Sequence, residues 1–236
     1  MMLPARILLV HGALADGSSW SKVIPTLQAA GHNVTAVQQP LTSIPNDVAV
    51  VKNQLAALNA ESDVPIVVAG HSFGGFAITN AVTDALNIKA LVYVMGFAPD
   101  EGETVTFLEQ NYTALPSNQV FVPNGPDGRL LLTQPDYLKY FAPDVNPRDA
   151  RVLAATQGPL DGGRFTYPSG PPAWKQVKNI HYIVAAEDQM IPPALQSWFA
   201  KRMKAKTTLL KGASHAGLIS QADKVAKVIL DAANGY

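Results

Sequence analysis

The segment Gly70-His71-Ser72-Phe73-Gly74, with Gly75 behind it, fits the pattern G-x-S-x-G. A serine in this setting acts as a nucleophile when the chain turns sharply at it, between a strand and a helix. The flanking glycines let the turn close, and the hydroxyl is left standing at the edge of the sheet. The neighbouring sequence suits such a turn. Ile66 to Ala69 is a continuous apolar run of strand type, and a Gly/Ala-rich helical stretch follows toward Ala85. The first amides of that helix favour negative charge developing beside them. The competing reading is a glycine-rich turn in which Ser72 only caps the helix.

Acyl chemistry at a serine needs a base, an acid to orient it and donors for an oxyanion. His11-Gly12-Ala13 follows the apolar run Ile7 to Val10, and the backbone N–H groups of Ala13 and Phe73 are the expected donors. Gly12 lets the backbone approach a substrate closely. His11 is expected to shape this loop through a hydrogen-bonded ring, and Ser18 and Ser19 read as helix-capping residues. Of the other histidines, His32 lies in a turn and reads as a surface residue, and His181 begins a strand. His215 lies in the small-residue loop Gly212-Ala213-Ser214-His215-Ala216-Gly217, where an imidazole can reach Ser72, and it is the expected base. The acid is expected at Asp188, just past the apolar run Tyr182 to Ala186, with Glu187 beside it and Asp100 as rivals. Phe73 and Phe97 are the aromatics best placed to line a pocket.

These residues need a scaffold that brings loops together at one edge. Short β-branched runs at 7–10, 33–37, 66–69, 90–95, 182–186 and 207–210 alternate with helical patterns. Trp20, Val23, Ile24 and Leu27 form one apolar helix face, and Val48, Val51, Leu55 and Leu58 another. A third comprises Leu195, Trp198, Phe199 and Met203. The last runs from Leu218 through Ala222, Val225 and Ala226 to Ile229. This alternation implies an α/β fold, a mostly parallel sheet with helices on both faces. From Phe97 to Lys175 the rhythm stops. Most of the 18 prolines fall there, and a helix near Arg148 to Thr156 is the one regular element expected. The chain reads as a single domain over 1–236, with a core of about 1–96 and 176–236 and a cap insertion of about 97–175.

Lys plus Arg and Asp plus Glu each number 18, so the formal charge is zero and no basic surplus invites nucleic acid. With 47% hydrophobic residues the chain can bury a large core. Cysteine is absent, which removes disulfides and thiolate chemistry. The N-terminal apolar run is too short for a leader peptide, and no run is long enough to span a bilayer. A cytoplasmic protein without membrane or nucleic-acid partners is expected, and a homodimer is left open.

With these residues placed, HGALADGSSWSKVIPTLQAAGHNVTAV resembles the opening of the plant methylesterase and hydroxynitrile lyase group of α/β-hydrolases. It looks more like bacterial relatives of that group. The resemblance places the family's oxyanion amide at Ala13, its serine at Ser72, its acid at Asp188 and its base at His215. It implies an α/β-hydrolase fold and ester cleavage through an acyl-enzyme, with a small-molecule ester as substrate and no metal or organic cofactor. Both ends of the chain match well, and the cap only loosely. The lyases of the group carry Thr and Lys where this sequence has Gly12 and Ala216, so ester hydrolysis is favoured over cyanohydrin cleavage. A small-molecule receptor, a lyase or another non-ester reaction on this scaffold are the alternatives.

Overall fold

The computed structural model describes residues 4–83 and 85–235. Residues 1–3, which open the run read as too short for a leader, and Asp84, in the stretch read as helix toward Ala85, lie outside them. The strands are β1 (Arg6–Val10), β2 (Asn33–Ala36), β3 (Ile66–His71), β4 (Ile88–Val94), β5 (Phe121–Asn124), β6 (Arg129–Leu132), β7 (Ile180–Ala185) and β8 (Lys206–Leu210). Among the described residues, β5 and β6 pair as an antiparallel hairpin, and the other six strands form one sheet in the order β2-β1-β3-β4-β7-β8. Every pairing in that sheet is parallel. The helices are α1 (Ile24–Ala29), α2 (Ile44–Glu61), α3 (Phe73–Ala81), α4 (Val105–Glu109), α5 (Gln134–Asp136), α6 (Pro147–Ala155), α7 (Pro193–Arg202), α8 (Gly217–Ser220) and α9 (Ala222–Asn234).

The period of two along each strand divides the core into two layers. Leu8, Val10, Val68, Leu91, Tyr93 and Tyr182 face one side, where Leu55 of α2, Phe76 of α3 and Phe199 of α7 close over them. Ile7, Leu9, Val67, Val92, Val94 and Ile183 face the other, beneath Leu27 of α1 and Val225 and Ile229 of α9. Each such aliphatic side chain, removed fully from water, contributes roughly 1.5–3 kcal/mol before chain entropy is set against it. Burial on both faces is why the inner strands β1, β3, β4 and β7 read as largely apolar runs, unlike the edge strands β2 and β8.

β1 pairs with β2 on one side and β3 on the other, so the connection reverses direction there. In α/β sheets such a switch point opens a crevice beyond the strand ends. Val10 of β1 lies level with Gly70 of β3, so the loops leaving both strands emerge side by side.

Several expectations need correction. The helix face begun at Trp20 is split: Gly17–Trp20 forms a tight turn, and α1 starts only at Ile24. Pro25 explains the delay, because proline lacks an N–H and belongs in a helix's first turn. Asp16, not Ser18 or Ser19, caps that turn, accepting from the Ser18 amide at 2.7 Å. The last helical pattern is also broken, at Gln221, into α8 and α9. His32 is buried and its Nδ1 accepts from the Ala5 amide at 3.0 Å, so it fastens the chain ahead of β1 rather than facing water. The middle segment carries the hairpin and short helices, besides α6 where a helix was expected.

Candidate active site

Ser72 stands between β3 and α3 with φ 54° and ψ −123°, a left-handed backbone that a non-glycine residue adopts only under constraint. It makes no side-chain capping bond, which removes the reading of Ser72 as a plain N-cap. The constraint is visible in its surroundings. The Ser72 carbonyl accepts from the amides of Gly75 at 2.9 Å and Phe97 at 3.1 Å, and its own amide donates to Val94 O at 3.3 Å. The turn also demands close backbone contact. A Cβ on Gly74 would lie 2.3 Å from Val10 O, and one on Gly12 would lie 2.6 Å from Ser72 Cβ. Gly12 was expected against substrate; the structure sets it against the serine turn, and the cavity wall begins at Ala13.

His11 behaves as the loop-shaping residue. Its Nε2 accepts from the Gln39 amide at 2.9 Å, which leaves Nδ1 to donate to Gly12 O at 2.8 Å. Burial holds its pKa below the usual histidine value, so the ring stays neutral. It bonds backbone on both sides and so fixes the chain that presents Ala13.

His215 and Asp188 meet directly. His215 Nδ1 donates to Asp188 Oδ2 at 2.7 Å, with both side chains buried. The other oxygen, Oδ1, accepts from the amides of Met190 at 2.7 Å and Ile191 at 3.0 Å. Gln196 of α7 donates to Oδ2 at 2.8 Å, while its own Oε1 accepts from the Ala185 amide at 3.0 Å. A buried carboxylate is tolerable when its lone pairs are occupied in this way. The rival acids are elsewhere: Glu187 is exposed, and Asp100 pairs with Lys175 at 2.6 Å. His181, on β7, bonds Asn179 Oδ1 at 3.1 Å.

The loop carrying His215 is braced from two directions. From the segment between β4 and β7, Asp144 accepts from the Ser214 amide at 3.0 Å, and from the Ser214 hydroxyl. The Phe141 carbonyl accepts from the Ala216 amide at 3.1 Å and lies 3.0 Å from Ser214 Oγ. From the serine turn, His71 Nε2 donates to His215 O at 2.9 Å. The ring centroids of His71 and His215 are 4.7 Å apart, and Phe141 meets the His215 ring edge-on at 4.8 Å. Burial, reinforced by the His215 charge, drives the His71 pKa well down, so this ring also stays neutral. Gln196, Asp144 and the packing of His71 escaped sequence reasoning. The one available signal was a glutamine beside Leu195, in a helix whose neighbours Leu195 and Phe199 are core residues.

Ser72 and His215 open on the same cavity of about 320 Å3. Ala13, Phe73 and Phe97 line it too, so the expected oxyanion residues and pocket aromatics converge with the serine and histidine. Phe121, Phe141 and Phe165 close the cavity from the segment between β4 and β7. Phe107 and Tyr167, of the same segment, are exposed. Among the described residues, no Lys or Arg lines the cavity and no helix is long and apolar enough to cross a membrane.

A six-stranded parallel sheet with a strained serine at the switch point is the architecture of one large class of hydrolases. The chain matches the Alpha/beta hydrolase family over residues 7–228, and it belongs to that family. It is 27% identical to salicylic acid-binding protein 2 of Nicotiana tabacum, over 98% of both chains. It is 26% identical to polyneuridine aldehyde esterase of Rauvolfia serpentina, over 96% of this chain and 94% of the relative. To methylesterase 7 of Arabidopsis thaliana the identity is 26%, over 98% and 97%. The crystal structure of polyneuridine aldehyde esterase superposes with a TM-score of 0.81 at 21% identity, covering 97% of this chain and 99% of that one.

Proposed function

We propose that this protein is a serine hydrolase of small carboxylic esters, with Ser72, His215 and Asp188 as its triad. One observation carries the reading. A conformationally strained serine, free of any capping bond, shares a cavity with a histidine whose Nδ1 is already committed to a buried carboxylate. That commitment leaves Nε2 as the lone-pair nitrogen. His215 Nε2 takes the Ser72 proton as Oγ attacks the acyl carbon, and the oxyanion is held by the Ala13 and Phe73 amides. Collapse expels the alcohol, which leaves with the proton from His215. Water, deprotonated in turn by His215, then cleaves the acyl-enzyme to the acid. Two relatives named as esterases support ester cleavage. Ala216 follows His215, and among the described residues no ammonium lines the cavity to receive a departing cyanide, which speaks against a lyase.

The reading is tested with short-chain p-nitrophenyl esters. Ser72→Ala is expected to lower kcat/KM by about 10³-fold or more. Asp188→Asn is expected to cost about 10²–10⁴-fold and Asp100→Asn almost nothing. Full turnover by Ser72→Ala would remove the nucleophile, and the reverse ranking of the two aspartates would move the acid. A relative bears the name of a binding protein, so a receptor is the second reading. Tight ligand binding to wild type without turnover of any ester would favour it.

A further inference from the structure

The cavity shared by Ser72 and His215 is mostly aromatic and aliphatic, from Leu14 and Phe121 to Phe165 and Met190. Three polar residues that ester cleavage does not use also line it: Glu109, half-buried, and Thr106 and Asn118, both solvent-exposed. Thr106 and Glu109 are three residues apart on α4 and therefore share one face. Asn118 belongs to the tight turn Pro116–Gln119. Ser117, next to it, donates its hydroxyl proton to Gln189 O and so ties that turn to the loop carrying Asp188.

Glu109 and Thr106 have the character of acceptors, whereas the Asn118 amide offers both donors and an acceptor. Thr106 Oγ spends its proton on Phe165 O at 3.0 Å and keeps only lone pairs to offer. Among the described residues, no hydrogen bond or ion pair engages the Glu109 carboxyl, and no Lys or Arg lines the cavity to neutralise it. Burial, with the Asp188 charge adding to it, pushes the Glu109 carboxyl up to about 7. A half-buried carboxyl without a partner is costly, and a donor brought in by a ligand relieves that cost. Above about pH 7, where Glu109 is ionised, a ligand carboxylate would instead bring a third negative charge toward Glu109 and Asp188.

We propose that Glu109 selects the substrate: it receives a hydrogen-bond-donating group, a hydroxyl or an ammonium, carried by the ester away from the scissile bond. Thr106 and Asn118 supply further polar contacts in the same cavity. A methyl-terminated ester leaves the Glu109 carboxyl unpaired, and a carboxylate-terminated one is repelled once Glu109 is ionised. The inference rests on the hydrolase reading of Ser72 and deepens it, since it names what the cavity recognises.

The test uses p-nitrophenyl esters of one chain length, ending in methyl, hydroxymethyl, aminomethyl or carboxylate. Wild type is expected to favour at least one donor-ended ester over the methyl-ended one by about tenfold or more in kcat/KM, and, above about pH 7, to discriminate against the carboxylate. Glu109→Leu is expected to bring that ratio near one. Because the ratio is read within each variant, a partly unfolded preparation does not distort it. Glu109→Gln separates the two donors: a preference for hydroxyl survives an amide oxygen, whereas one for ammonium is lost with the charge. Equal kcat/KM for methyl and donor tails in wild type would overturn the proposal, as would a ratio that Glu109→Leu leaves unmoved. Calorimetric binding of the same esters to Ser72→Ala keeps the two readings apart. If wild type cleaves no ester, the hydrolase reading fails, and the binding preference still decides the role of Glu109.

Discussion

Asp188 shows how far a single carboxylate depends on its neighbours. Four donors converge on it: two backbone amides, the Gln196 side chain and His215. Gln196 has a double duty, because the same side chain accepts the buried Ala185 amide at the end of β7. Gln196→Leu therefore strands a backbone donor and strips one lone-pair partner from Asp188, at a cost of about 2–4 kcal/mol in stability. Gln196→Glu retains the bond from Ala185 but sets a second carboxylate against the first. That repulsion is expected to lower kcat by about tenfold or more with little change in KM, since Gln196 does not line the cavity. Steady-state kinetics of a p-nitrophenyl ester checks it, and a loss confined to KM would refute a positioning role. Ser72, Asp188 and His215 were legible because each sits just past a strand, in a loop whose composition advertises a tight turn. Gln196 was not, because its partner lies eight residues back and meets it only once α7 has packed against the sheet.

At the scale of elements, a buried ion pair adds to the contacts that join the segment between β4 and β7 to the core beneath the cavity. Arg164, in the tight turn Gly162–Phe165, forms a fully buried ion pair with Asp47 of α2 at 3.2 Å. Burial pulls the Arg164 pKa down and pushes that of Asp47 up, and their mutual attraction opposes both shifts. Asp47 also accepts the Leu41 amide at 2.8 Å, and the guanidinium lies 5.1 Å from the Phe73 ring centroid. The ion pair thus reaches from α2 to the residue whose amide is the proposed oxyanion donor. Arg164→Met leaves a buried carboxylate without its counter-charge and is expected to cost about 3–5 kcal/mol in urea unfolding. Adding Asp47→Asn, which removes the unpaired charge but keeps an acceptor for the Leu41 amide, is expected to recover most of that loss. Additive losses would show that the two residues act separately. The sequence made the core strands plain through their apolar runs, yet the middle segment stayed opaque. Its short turns and its hairpin carry too few residues for a period to register, and the buried arginine reads as a surface charge until its partner, far off in sequence, is known.

For the whole molecule, the same buried groups set how stability follows pH. His11 and His71 are held neutral, chiefly by burial, with pKa values below the 6.5 of a free histidine. The unfolded chain takes up protons at both near pH 6.5 while the folded protein does not. Their contribution is therefore intact above that pH and is lost as pH falls below it, by at most about 1.4 kcal/mol per pH unit for each. Glu109 runs the other way. Its carboxyl titrates near 7 when folded against 4.5 when free, so the folded state binds the extra proton between these values. Its contribution is present below 4.5 and is lost as pH rises through 7. The two effects oppose one another in mildly acidic solution and flatten the profile. Glu109→Gln removes only the second, so the variant is expected to lose stability more steeply on acidification. Its Tm advantage over wild type then widens from about pH 5 to about pH 8, where wild type must bury an ionised carboxyl. Thermal melts of both proteins across that range decide the point. An advantage that stays constant with pH would mean that Glu109 titrates as an ordinary surface carboxyl, and the cavity would then hold no unsatisfied acceptor for a substrate to fill.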